Sequence, residues 1–230
     1  MKKIAIMQPY LLPYIGYFQV MSAVDEYVIY DDVNYIKGGW INRNNILTNG
    51  DKRMFTFGVF GASSNKRINE LELTGDYVNF QKVLSDAYIG APYEIEVQAL
   101  ISRICAYESN NLALFVGNSL REVANYIGIT TKIVYSSDLK KDVNLRGQEK
   151  VIAICKELSA DMYINAIGGQ ELYSKEEFFR QGISLNFLKT IFIEYKQFDN
   201  NFIPGLSIID LLMFNPVEKI RHMLESYELV

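Results

Sequence analysis

The chain has 230 residues, 49% of them hydrophobic and 22% charged, with 23 Lys and Arg against 27 Asp and Glu. A net charge of −4 excludes the dense basic surface that broad nucleic-acid binding needs in order to release counterions from phosphates. The apolar fraction excludes wholesale disorder, and no run approaches the roughly 18–20 unbroken apolar residues of a membrane span. The expectation is a folded cytoplasmic protein with no membrane insertion.

Lys3–Met7 is a short isoleucine-rich run closed by Pro9, the pattern of a buried strand. Lys2 and Lys3 precede it, but Gln8, Pro9 and Pro13 interrupt the apolar stretch as no secretory leader would. Helical spacing follows over Gly16 to Ala23, with Phe18, Met21 and Val24 on one face. Glu26–Tyr30 is a second apolar run that ends at Asp31-Asp32. Strand, helix, strand predicts a right-handed crossover between parallel strands.

Between Val33 and about Gly61 the composition turns to glycine, asparagine and aromatics. Asn49-Gly50 is a two-residue hairpin signal ahead of a strand over Arg53–Phe60, and Ile68, Leu71 and Leu73 fit one further short strand. A β-hairpin excursion over about 33–74 is expected. Residues 76–128 return to helical spacing in three segments, Tyr77–Tyr88, Glu94–Ala106 and Leu112–Ile127. The α/β alternation then resumes, with a strand over Thr131–Tyr135, a helix over Leu145–Leu158 and strands over Asp161–Asn165 and Ile183–Leu188. A short helix over Ser207–Phe214 precedes a last helix capped by Asn215, opened by Pro216 and running to about Tyr227. The reading is one α/β domain over 1–230, with a mainly parallel, Rossmann-like sheet, a hairpin excursion and a helical insertion.

Chemistry is concentrated at the ends of the predicted strands. Gln8, Tyr10, Tyr14, Gly16 and Tyr17 follow the first strand, where open α/β sheets hold their ligands; the tyrosines have a rival role as core rings tethered by their hydroxyls. Asp31 and Asp32 end the second strand. Such a pair can serve as general base or hold a divalent cation on substrate phosphates; adjacent strand residues point to opposite faces, so one of them is expected to face the crevice. Lys37, Trp40, Asn42, Arg43 and Asn44 follow in one loop. They suit a phosphorylated, ring-bearing ligand: Arg a fork for phosphate, Trp, the only tryptophan, a stacking face, and Asn a two-way hydrogen-bonder. Asp31, Asp32 and Lys37 are the candidate catalytic groups. Ser136 and Ser137 offer a phosphate-binding turn or a helix cap with Asp138, and Asn165 with Gly168-Gly169 forms a second strand-end loop.

A single histidine, His222, on the edge of the terminal helix, disfavours triad chemistry. One histidine with two distant cysteines, Cys105 and Cys155, gives no zinc-ligand spacing, and the cysteines read as buried small hydrophobes rather than a disulfide.

The segments Gln8-Pro9-Tyr10-Leu-Leu-Pro13-Tyr-Ile-Gly16-Tyr17-Phe18, Tyr30-Asp31-Asp32-Val33, Trp40-Ile-Asn42-Arg43-Asn44, Tyr163-Ile-Asn165-Ala-Ile-Gly168-Gly169 and Leu206-Ser-Ile-Ile-Asp210 together resemble the WbqC-like protein family, nearly end to end. The resemblance implies a role in bacterial O-antigen and other surface-polysaccharide biosynthesis: a transferase that modifies a nucleotide-linked amino sugar by acyl or aminoacyl transfer, from an acyl-CoA or an aminoacyl-tRNA. In layout, the first strand, its loop and the helix are also similar to the nucleotidylyltransferase superfamily, with tyrosines at Tyr14 and Tyr17 in place of that superfamily's two motif histidines. That likeness keeps two alternatives open, nucleotidylyl transfer with Mg²⁺ on the acidic pair, and a non-catalytic module binding a nucleotide sugar or another phosphorylated small molecule. A single pocket shared by Trp40, Arg43 and both carboxylates is expected.

Overall fold

The computed structural model describes residues 1–199 and 201–230. Its centre is a six-stranded sheet. Strand β1 (Lys3–Met7) passes through α1 (Ile15–Ser22) to β2 (Glu26–Ile29), its parallel neighbour. After the hairpin β3 (Arg43–Thr48) and β4 (Asp51–Thr56), the two short strands β5 (Val59–Phe60) and β6 (Glu72–Leu73) pair antiparallel. Three helices follow: α2 (Tyr77–Ala87), α3 (Glu94–Cys105) and α4 (Leu112–Ile127). The sheet resumes with β7 (Lys132–Tyr135), parallel to β2, and continues through α5 (Gly147–Glu157), β8 (Met162–Ala166), α6 (Lys175–Arg180) and β9 (Ser184–Thr190). Helices α7 (Ile208–Phe214) and α8 (Val217–Leu224) precede the edge strand β10 (Tyr227–Leu229).

The strand order is β10-β9-β8-β1-β2-β7. The first three parallel strands build outward from β1, and the chain then returns to place β8 on the other side of β1. Counted among themselves, the five parallel strands stand 3-2-1-4-5 across the sheet. The order therefore reverses between β1 and β8, and the crevice of such a sheet lies outside the carboxyl ends of these strands.

Both faces of the sheet are covered, which is why β1 reads as a continuous apolar run and not as an alternation. Ile4 and Ile6 join Val151, Ile154, Phe178 and Phe187 in one core, while Ala5 and Met7 join residues of α1, α3, α4, α7 and α8 in the other. Each Leu, Ile or Phe so buried contributes about 1.5–3 kcal/mol.

Several local expectations change. Asn49 and Gly50 adopt φ of 52° and 83°, the paired left-handed turn that asparagine and glycine favour, but the second hairpin strand begins at Asp51 and breaks after Thr56. Ile68–Glu70 forms a 3₁₀ turn, not a strand. Asn215 donates through its amide to the Leu211 carbonyl, 2.9 Å, and so closes α7; Pro216, with ψ of 153°, is the residue that precedes α8. That helix ends at Leu224, because the chain turns back at Ser226 and Tyr227–Leu229 pairs antiparallel with β9.

Candidate substrate-binding site

The loop after β1 is held in a conformation its sequence alone would not choose. Leu12 sits at φ 45°, a left-handed value that costs a non-glycine residue about 1–3 kcal/mol. Its carbonyl is clamped twice, by the amide of Asn44 at 2.8 Å and the hydroxyl of Ser207 at 2.7 Å. The Leu11 amide donates to the Trp40 carbonyl, and the Ile208 amide to that of Pro13. Strand β3 and the start of α7 thus fix a strained loop at the carboxyl end of β1.

That loop forms one wall of an aromatic cleft of about 320 Å³, lined by Tyr10, Pro13, Tyr14, Tyr17, Trp40, Asn44, Phe192 and Gly205. Tyr10 stacks on Tyr17 with centroids 5.0 Å apart, Tyr14 meets Tyr17 edge-on at 6.3 Å, and Phe192 faces Tyr14 at 6.2 Å. Burial raises the Tyr10 and Tyr17 hydroxyls above the usual phenol range, so both remain protonated donors. Gly16 lets the Tyr14 ring rest against the start of α1, since a Cβ there would lie 2.4 Å from the outer atoms of that ring. Trp40 is 41% exposed with its ring on the cleft, and the Arg43 guanidinium lies 5.8 Å from the ring centroid while its Nε donates to the Gly39 carbonyl.

The acidic pair belongs elsewhere. Asp31 is buried; its carboxylate accepts from the Ser137 amide at 3.0 Å, the Ser137 hydroxyl at 2.6 Å and the Asn69 amide at 3.2 Å. Burial raises its pKa, against the pull of Ser137. Asp32 accepts from the Ser136 hydroxyl at 2.7 Å and pairs with Lys141 and Lys150, each 3.0 Å from Oδ2. Burial alone would push its carboxyl up, but Ser136, Lys141 and Lys150 outweigh it and hold it below the ordinary value. A carboxylate tied to two ammonium groups is a weak base. Nor does this donor set suit Mg²⁺, which would have to displace two cations from the same oxygen.

Asp32 lines a second cavity of about 250 Å³, together with Tyr30, Val33, Asn34, Arg67, Arg146, Gly147 and Lys150. The aromatic cleft and this cationic cavity share no lining residue. The expected single pocket is therefore replaced by two, one at the loop after β1 and one where β2 meets the start of α5. Arg43 lines neither of them.

The other predicted residues scatter by role. Asn42 is buried and structural, accepting from the Tyr35 hydroxyl at 2.8 Å and donating to the Phe57 carbonyl at 2.6 Å. Lys37 is exposed, and Gln8 is half-buried at the mouth of the sheet crevice without lining either cavity. Ser136 and Ser137 hold the carboxylates, so their hydroxyls do not stand open for phosphate. Asn165 is buried at the end of β8, its side chain accepting from the Ala166 amide; Gly169 makes room for it, since a Cβ there would meet the Asn165 amide at 2.4 Å. Gly168 is exposed. His222 is exposed on α8. Both cysteines are free, and burial pushes each thiol up to about 12. Among the described residues no group of acidic residues, histidines and cysteines is arranged to hold a metal ion, and no helix is long and apolar enough to cross a membrane.

Sequence reasoning missed Arg67, Arg146, Lys150 and Phe192. Lys150 had a signal: it occupies an inward position of α5 among Val151, Ile154 and Cys155, and a lysine in a buried stripe has a partner. Arg67 and Phe192 reach their cavities only through long-range folding, which leaves no local signature.

A model of the WbqC-like protein family matches residues 8–222. The uncharacterized protein Rv1507c of Mycobacterium tuberculosis is 29% identical over 217 residues, covering 92% of this chain and 93% of its own length. No solved structure matches the chain. The family match takes in the strained loop, both cavities and all of the fold but β1, the last residues of α8 and β10, and the chain belongs to the WbqC-like protein family.

Proposed function

We propose that this protein is a transferase of surface-polysaccharide biosynthesis, acting in the cytoplasm on a nucleotide-linked amino sugar by acyl or aminoacyl transfer. The observation that carries the reading is the aromatic cleft at the carboxyl end of β1, where Tyr10, Tyr14, Tyr17, Trp40 and Phe192 offer ring faces and phenol groups to a sugar or base. The 3-2-1-4-5 order of the parallel strands is that of doubly wound nucleotide-binding sheets and supports a Rossmann-like assignment.

In this reading the protein acts mainly by positioning. A sugar amine is nucleophilic in its neutral form, so holding it against an acyl carbonyl supplies much of the rate. The C–N bond forms, the acyl carbon's bond to the thioester sulfur or the tRNA ester oxygen breaks, and the amine proton passes through solvent to that departing atom. Asp31 and Asp32 then organise the loop ends and do not accept that proton.

The test is mass spectrometry of a uridine-diphosphate amino sugar incubated with the protein and either acetyl-CoA or an aminoacyl-tRNA. Transfer of one acyl group to the sugar is expected. A second reading, a non-catalytic nucleotide-sugar-binding module, is favoured by the saturation of both carboxylates; it predicts thermal stabilisation by the sugar nucleotide with no product from any donor. Absence of both stabilisation and product contradicts both readings.

A further inference from the structure

The cationic cavity carries more positive charge than its fold requires. Three cations, Arg67, Arg146 and Lys150, line it against one carboxylate, Asp32, and Asp32 is already paired with a further cation, Lys141, so the cavity has a local excess of positive charge. Lys150 is all but buried, donates to the Asp32 carbonyl at 2.8 Å and its carboxylate at 3.0 Å, and lies 5.2 Å from the centre of the Tyr30 ring. An ammonium has three donors, so one remains beyond these two. The Arg146 Nη1 donates to the carbonyls of Val143 and Leu145, which sets its guanidinium beside the cavity. Arg67 is half-buried, and its guanidinium forms no ion pair among the described residues. Gly147 adds to the opening, since a Cβ there would meet nothing within 4 Å.

We propose that this cavity is a diphosphate-binding site, with Arg67 and Arg146 as forks on the phosphate oxygens, Lys150 as a point charge between them, and Asp32 as the fixed counter-ion that keeps Lys150 in place. The excess of positive charge suits the negative charge of a diphosphate diester, and paired guanidinium forks fit its oxygens bidentately. The inference deepens the proposed function and rests on it for the identity of the ligand: the diphosphate would be the link of a nucleotide sugar. Free pyrophosphate is the other source of the same chemistry.

The two are separated by calorimetric titration of the whole protein with inorganic pyrophosphate, uridine diphosphate and uridine diphosphate N-acetylglucosamine. Uridine diphosphate and its sugar are expected to bind at least ten-fold more tightly than pyrophosphate, and Arg67→Gln and Arg146→Gln are each expected to weaken all three at least ten-fold. The Arg67 side chain has no ion pair among the described residues to lose, so an unchanged melting temperature in Arg67→Gln separates lost binding from lost fold. Pyrophosphate binding tighter than that of the nucleotides assigns the site to free pyrophosphate and overturns the nucleotide-sugar assignment. Binding of none of the three, or binding untouched by both substitutions, overturns the site itself. Diphosphate binding that depends on both arginines without any acyl transfer retains the site while contradicting the transferase reading.

Discussion

Lys150 Nζ and Asp32 Oδ2 lie 3.0 Å apart with 3% and 10% of their side chains exposed, across 118 residues of sequence. Lys141 also lies 3.0 Å from the same oxygen, itself 4% exposed. The carboxyl end of β2 is thus pinned to the start of α5 by one carboxylate between two buried cations, and the cationic cavity exists because that pin holds.

Removing the carboxylate leaves two buried ammonium groups facing each other. Asp32→Asn is expected to cost about 3–5 kcal/mol of stability, the usual penalty for breaking a buried pair from one side. Urea unfolding measures it, and a loss below about 1 kcal/mol would show that the cluster is wet and structurally incidental.

The same carboxylate gives the fold a pH dependence. Its folded pKa lies below the ordinary value of about 4, so the folded state binds fewer protons than the unfolded one in that window. Its contribution is complete above pH 4–5 and is lost as pH falls through the folded pKa. The stability difference between the native protein and Asp32→Asn should therefore be flat between pH 5 and 7 and shrink below about pH 4; a difference that grows on acidification would reverse the sign.

Asp210 anchors the other cavity. Fully buried in the first turn of α7, it accepts from the Tyr88 hydroxyl at 3.0 Å, the Tyr195 hydroxyl at 2.7 Å and the Gln197 amide at 2.6 Å. Tyr195 follows Phe192, so this carboxylate ties the outer wall of the aromatic cleft to α2. Asp210→Ala strands buried donors and should cost at least about 2 kcal/mol, read as a lower denaturant midpoint; a neutral outcome would remove Asp210 from the scaffold.

Gly16→Ala separates shape from stability. The new methyl would meet only the outer atoms of the Tyr14 ring, which can swing aside, and alanine favours the helix, so unfolding free energy should change by less than about 1 kcal/mol. The displaced ring should still alter the near-ultraviolet circular dichroism of the cleft aromatics. An unchanged spectrum would mean that Tyr14 does not rest on Gly16.

Local chemistry made much of the fold legible. Lys3–Met7, the Asn49-Gly50 turn and the three helices between Tyr77 and Ile127 follow from periodicity and turn residues that act within a few positions. Strand β10 did not, because Tyr227-Glu228-Leu229 is three residues at a sheet edge and its pairing with β9 is decided by tertiary contact. The same divide runs through the site. The clustering of tyrosines and Trp40 was visible in the sequence, whereas the groups that hydrogen-bond or pair with Asp31 and Asp32 come from Asn69, Ser136, Ser137, Lys141 and Lys150, and so divided the expected pocket in two.

Trp40, the sole tryptophan, stands at the aromatic cleft and reports on it directly. Titrating the protein with uridine diphosphate N-acetylglucosamine while following Trp40 emission should give a saturable change, with Phe192→Ala shifting the midpoint to at least five-fold higher concentration. Emission that stays constant to millimolar ligand would contradict the claim that a ring-bearing nucleotide sugar is held in this cleft.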